Sequence, residues 1–200
     1  MSSQDAINFF QRLGHLWVAD RLRQTERFEA NWVNRFCALM PRGGEVLDLG
    51  CGAGEPMATD VIARGFGVTG VDSAPEMIAR CQKLHPVQLW LVGDMRELAL
   101  DRQFSGVLAW DSFFHLGCDD QRAMFARFAS HAAPGAPLMF TAGPQEGEAM
   151  GRLYGADLYH ASLDPQEYRR LLQANGFDLV RYIPADPDCG GRWVWLAQRR

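Results

Sequence analysis

Apolar positions follow two rhythms along this chain, and their alternation predicts a sheet flanked by helices. Short apolar runs at 46–49, 67–71, 87–92, 104–110 and 137–141 read as buried strands, too continuous for a surface hairpin. Between them the spacing turns helical. Counted from Arg27, Phe28, Trp32 (or Val33), Phe36 and Leu39 share one face until Pro41-Arg42-Gly43-Gly44 ends the element. Residues 56–64 form a second helix, stopped by Gly65, and Ser73, as N-cap, with Pro75 in the first turn opens a third. Met124, Phe125, Phe128 and Ala129 give 120–130 an apolar face. Residues 7–20 read as a separate short helix before all of these. Asp164-Pro165-Gln166-Glu167 carries an N-cap, a proline at N1 and a capping-box acid, and Asn175-Gly176 ends that helix. Residues 178–182 and 193–197 read as closing strands around a long turn, whereas 143–163 shows no dominant period. Strands alternating with helices predict an α/β fold with a doubly wound, mainly parallel sheet.

The turn after the first strand carries the chemistry. In Asp48-Leu49-Gly50-Cys51-Gly52-Ala53-Gly54, three glycines allow a sharp turn and let a ligand approach the main chain where a Cβ would block it. The helix that follows turns its amides and dipole toward an electron-rich group. This is a nucleotide cradle, but not the dinucleotide fingerprint G-x-G-x-x-G, whose third glycine would fall at Glu55. The Gly-Lys-Ser/Thr of a phosphate-binding P-loop is also missing. Asp72 ends the second strand, 24 residues after Asp48, close to the offset at which an acid accepts both ribose hydroxyls.

Composition narrows the partners. At 200 residues, 48% hydrophobic and 22% charged, the chain suits one domain with a sizeable core. A net charge of −4 and a sequence pI near 5.7 argue against a broad nucleic-acid footprint. No apolar run is long enough to span a bilayer, and the first residues lack the form of a signal peptide. The five cysteines form no C-x-x-C pair and fit reduced thiols in the cytoplasm; Cys51 serves as a small residue in the cradle. The five histidines show no metal-ligand spacing, so no metal is expected.

Four stretches together, 48–54, 71–77, 93–95 and 108–116, resemble in order the motifs of class I S-adenosylmethionine (SAM)-dependent methyltransferases, and the likeness extends over about 27–197. It implies a seven-stranded sheet, mostly parallel with a C-terminal antiparallel hairpin and helices on both faces. It implies SAM as cofactor, with S-adenosylhomocysteine (SAH) as its product. The cofactor-binding set would be Asp48, Gly50, Cys51, Gly52, Gly54, Asp72, Ser73, Met77, Asp94, Met95 and Trp110. Within it Asp94 accepts from the adenine amino group, Met95 covers the ring with Met77 and Leu98, and Trp110 presents an aromatic face to the sulfonium. Residues 1–26 would fold over the cofactor as a helical lid. There Trp17 or Arg21 either contacts the aminoacyl end or serves as a packing tryptophan and a surface arginine.

His115 is the candidate general base, with a backbone cofactor contact or a helix cap as its other readings and Asp111 as the next candidate. Residues 143–163 would shape the acceptor pocket, with Tyr154, Tyr159 and His160 as its polar groups or as packing residues. The expected reaction is in-line methyl transfer to an N, O, S or C atom of a small molecule, by a monomer or homodimer. Three other readings stay open: an RNA or protein methyltransferase, a non-catalytic SAM-binding module, and an NAD-dependent oxidoreductase.

Overall fold

A computed structural model describes residues 2–23 and 28–200; Met1 and residues 24–27, including Arg27 from which the first periodic helix is counted, lie outside the described residues. In chain order the elements are α1 (Ser3–Arg23), α2 (Ala30–Cys37), β1 (Glu45–Leu49), α3 (Met57–Ala63), β2 (Gly67–Asp72), α4 (Pro75–Leu84), β3 (Leu89–Val92) and β4 (Gly106–Ala109). A 3₁₀ turn (Phe113–His115) then precedes α5 (Cys118–His131), β5 (Pro137–Ala142), β6 (Gly147–Leu153), β7 (Ala156–Ser162), α6 (Pro165–Ala174) and β8 (Phe177–Asp186). A second 3₁₀ turn (Pro187–Cys189) leads into β9 (Arg192–Arg199).

Seven strands form one sheet in the order β3-β2-β1-β4-β5-β9-β8. The first five are mutually parallel, and β9 runs antiparallel to both of its neighbours. This is the architecture the sequence implied. The chain builds outward from β1 to β3, then returns to β4 on the other side of β1. The crevice above the carboxyl ends, where the order reverses, is where such sheets take ligands.

Side chains alternate across the strands as the two-residue period requires. Leu47, Leu49, Val107, Leu138 and Phe140 face α5 and α6, where Phe125, Phe128 and Tyr168 fill the layer. Val46, Val68, Leu108 and Met139 face the other way, onto Trp32, Phe36, Val61 and Ile78 of α2, α3 and α4. Each such side chain contributes about 1.5–3 kcal/mol by leaving water. The indole of Trp32 also donates to Asp186 at 2.8 Å, tying α2 to the end of β8.

Several expectations are corrected. The third strand starts at Leu89, because Val87 stands 91% exposed in the preceding turn. The fourth starts at Gly106, and Phe104 makes only an isolated bridge to Ala132. Ser73 does not cap α4: the N-cap is Ala74, whose amide bonds Asp72 at 2.9 Å. Asp164 caps α6 through the Gln166 amide, but Glu167 pairs with Arg122 at 2.7 Å instead of closing a capping box. Residues 143–163, read as aperiodic, contain the antiparallel hairpin β6–β7, a separate two-stranded sheet. Most of β6 is exposed, so no apolar alternation marks it. Among the described residues no helix is long and apolar enough to cross a membrane.

A buried polar knot fixes the hairpin to the main sheet. Gln121 on α5 donates to the carbonyls of Leu116 and Ala161, both at 2.8 Å. Tyr168 on α6 donates to the Gln121 side-chain oxygen at 2.5 Å and accepts from the Leu163 amide at 3.0 Å. Tyr168→Phe would leave a buried acceptor and a buried donor unpaired. It should lower unfolding free energy by roughly 1–3 kcal/mol in urea titration, and a loss under ~0.5 kcal/mol would show that the knot is not holding the fold.

Candidate functional site

One cavity of about 780 Å³ opens over the carboxyl ends of β1, β2, β3 and β4. Its floor is the glycine turn. The amides of Gly50 and Cys51 both donate to the Val71 carbonyl, at 2.8 and 3.1 Å, and the Gly52 amide donates to Asp72 Oδ2 at 2.9 Å. Gly50 and Gly52 hold φ of +70° and +53°, which disfavour side chains. A Cβ on Gly50 would also overlap Ser112, whose hydroxyl donates to the Leu49 carbonyl at 2.7 Å. Gly54 departs from expectation: it does not line the cavity but packs behind the turn, where a Cβ would come 3.3 Å from the Cys81 sulfur. Cys51 does line it, and burial pushes its thiol well up, away from nucleophilic chemistry.

Three acids stand around this floor. Asp48 is 2% exposed and its Oδ2 has no hydrogen-bond partner. Burial, with Asp72 nearby, pushes its carboxyl up to about 7. Asp72 accepts the Gly52 and Ala74 amides, one on each oxygen, which leaves further lone pairs toward the cavity. Its burial raises the carboxyl despite those amides. Asp94 is bound two-pronged by Arg96, at 2.5–3.0 Å, and accepts the Arg96 amide as well. Burial pushes Asp94 up, but the Arg96 hydrogen bonds outweigh it and hold the carboxyl below the usual range. Ser73, Met77 and Met95 complete this end, whereas Leu98 packs with the core.

Trp110, Asp111 and His115 line the opposite end. Asp111 adopts φ +47° and is gripped by Arg192 at 2.8–3.0 Å. Arg192 also reaches buried Glu29 at 3.5 Å, and Glu29 pairs with Arg21 of α1. So Arg21 lines the cavity from within an ion chain and is not a surface arginine, while Trp17 lies against Gly52. His115 Nδ1 meets the Tyr159 carbonyl at 3.0 Å; a carbonyl only accepts, so Nδ1 carries the proton and Nε2 the lone pair. Burial drives this imidazole down to about 4.

Of the hairpin candidates only His160 lines the cavity. Tyr154 instead bonds Asp20 of α1 at 2.8 Å, and the Tyr159 side chain is buried. Sequence reasoning missed Gly190 and Gly191 of the turn before β9, Arg192 and Trp193 at the start of that strand, and Phe10 of α1. Local signals that this turn is built are Asp186 accepting from the Asp188 amide, Pro187 in the first turn and the left-handed Gly190 at its end. Among the described residues no cluster of metal-ligating side chains occurs.

Residues 46–135 match the family described as methyltransferase domain. A dTDP-3-amino-3,6-dideoxy-α-D-glucopyranose N,N-dimethyltransferase of Streptomyces fradiae is 35% identical over 97 residues, 47% of this chain and 37% of that protein. The chain thus spans under two fifths of that relative's length. Among solved structures, SAM-bound CalS10, an amino pentose methyltransferase from Micromonospora echinaspora, superposes with TM-score 0.76 at 21% identity, covering 92% of this chain and 97% of that one. The 1,6-didemethyltoxoflavin-N1-methyltransferase of Burkholderia thailandensis, solved with SAH and 1,6-didemethyltoxoflavin, gives 0.73 at 20% identity over 98% and 86%. Residues 46–135 therefore resemble a methyltransferase domain in sequence, and the chain shares the fold of these solved methyltransferases.

Proposed function

We propose that this chain is an enzyme that transfers the methyl group of SAM to a small-molecule acceptor. The observation that carries the reading is that Gly52, Asp72 and Asp94, from three different strand tips, line one cavity. The residues fit such a ligand. The glycine floor excludes a Cβ at Gly50 by overlap and disfavours one at Gly52 by its φ, and the buried Asp48 oxygen without a partner awaits a donor or a cation. On this reading Asp72 holds the ribose hydroxyls and Asp94 the adenine amine, with Met77 and Met95 along the ring. Asp48 faces the cationic end, and Trp110 lies on the side of the transferred group. α1 is the lid, the β6–β7 hairpin shapes the acceptor side, and all of it forms a single domain. Free thiols at all five cysteines suit a reducing cytoplasm.

When bound, SAM supplies a methyl group already attached to a good leaving group. The protein's task is then to align the acceptor and exclude water, which supply most of the rate. His115 takes the proton that becomes acidic as the methyl group attaches. Held neutral, with Nδ1 fixed by the Tyr159 carbonyl, it offers Nε2 as acceptor at any pH well above 4. Asp111 is the weaker candidate because Arg192 occupies its carboxylate.

Calorimetry should detect SAH uptake by the wild-type chain, and Asp72→Ala should weaken it about 10- to 100-fold through lost charge-assisted hydrogen bonds. Because Asp48 titrates near 7 in the free protein and a cation favours its ionised form, binding should release a proton and tighten as pH rises from 6 to 8. Asp48→Asn should flatten that dependence. Absence of SAH uptake, or an Asp72→Ala variant that binds like wild type, removes the cofactor assignment.

His115→Ala should reduce turnover about 100-fold or more once an acceptor is in hand. With SAM saturating, so that the Asp48 dependence of binding is not read, wild-type turnover should show no titration near 6.5, only an acid limb toward 4. A near-normal rate for the variant takes His115 out of the mechanism.

A further inference from the structure

The end of the cavity away from the acids is walled by rings. Phe10 of α1 meets His115 edge-on, centroids 5.0 Å apart. Phe114 lies 4.7 Å from His115 and stacks on His160 of β7 at 5.6 Å with a 23° interplanar angle. The two imidazoles are themselves 4.8 Å apart. Three separate elements therefore bring four rings to one chamber, with Leu153 and Leu158 of the hairpin beside them.

The polar atoms left over there are specific. Ser162 donates its hydroxyl to the Ala161 carbonyl and accepts the Gly143 amide at 2.6 Å. Ser3 is spent on Asp120 and on the Gly117 amide. Both imidazoles use Nδ1 to donate to a backbone carbonyl, His115 to Tyr159 and His160 to Leu158, each at 3.0 Å. Each therefore keeps an Nε2 lone pair, an acceptor seeking a donor. Asp111, next to the 3₁₀ turn that carries Phe114 and His115, also lines the cavity, and Arg192 neutralises it. An ammonium entering the chamber would lose water without gaining a free counter-charge. The burial that holds both imidazoles neutral opposes that added charge in the same way.

Resting on the methyltransferase reading above, we infer that the acceptor is a planar, uncharged aromatic or heteroaromatic molecule bearing an O–H or N–H, stacked among Phe10, Phe114 and His160 with that donor on an imidazole Nε2. Ring stacking favours a flat partner over a saturated one of equal size. Neither amino-sugar methyltransferase speaks against this: one aligns with only 47% of this chain, and CalS10, at 21% identity, shares the fold alone.

The test is a calorimetric titration of the full chain, with and without SAH, using 2-naphthol, 2-methoxynaphthalene, trans-2-decalol and cyclohexylamine. Affinity for 2-naphthol should exceed that for the saturated alcohol, the donor-less ether and the amine by about tenfold or more. Phe114→Ala and His160→Leu should each weaken 2-naphthol about tenfold while leaving SAH affinity within about twofold. His160→Leu keeps an apolar side chain in place should Phe114→Ala unfold. Equal affinity for 2-naphthol and trans-2-decalol, or tighter binding of cyclohexylamine, overturns the inference. SAH uptake is read separately: if it fails while the 2-naphthol pattern holds, the chamber stands and the cofactor assignment falls.

Discussion

Asp72 joins three strand tips, and the rest of the cavity is placed by that junction. Its Oδ2 takes the Gly52 amide of the turn after β1, its Oδ1 takes the Ala74 amide at the head of α4, and its carbonyl takes the Gly93 amide after β3. The neighbouring Val71 carbonyl holds the amides of Gly50 and Cys51. A short carboxylate fits this role because it can accept two backbone amides from one fixed rotamer and still keep lone pairs free. The longer Glu side chain would have to order one more rotatable bond for the same contacts. Once the tips are joined, the glycine floor, the acid beside it and Asp94 can only face the same space.

The residues of that junction, though not the bonds Asp72 makes to Gly52 and Ala74, were legible because they are local. The glycine spacing, the acid at the end of the next strand and the third strand tip all lie within one stretch of chain, and their periodicity comes from burial on both faces of a parallel sheet. Where a feature depends on contacts made far along the chain, the sequence was silent. The hairpin gave no alternation because β6 faces solvent along most of its length. Arg192 looked like any arginine in a turn, since what singles it out, Asp111 at 2.8 Å and buried Glu29, lies 81 and 163 positions away. Even local rules were diverted: α4 takes its N-cap one residue after Ser73, at Ala74 with no side-chain cap, and Arg122 drew Glu167 from its capping box. Gly54 kept its positive φ but serves packing against Cys81 and Trp90, a distinction that spacing alone does not carry.

The cavity walls differ sharply in charge from end to end. Three acids gather at the tips of β1, β2 and β3, one of them with an unpartnered oxygen. The far end presents rings and two neutral imidazoles. The chain Arg21, Glu29, Arg192, Asp111, two cations and two anions whose charges cancel, reaches that far end through Asp111. Such a chain adds little net field at a distance while satisfying the charges it buries, and it roots both α1 and the start of β9 in the cavity wall.

This division suits the proposed reaction on physical grounds. A neutral acceptor attacking a sulfonium spreads one positive charge over two atoms on the way to the transition state. Spread charge is less dependent on surrounding water than concentrated charge, so a weakly polar chamber penalises the starting cation more than the transition state. An acceptor that arrived as an ammonium would have to lose its proton first, and neither imidazole, held low by burial, could keep that proton at neutral pH. The ring-lined end is therefore suited to accepting a methyl group on a neutral molecule and poorly suited to deprotonating a charged one.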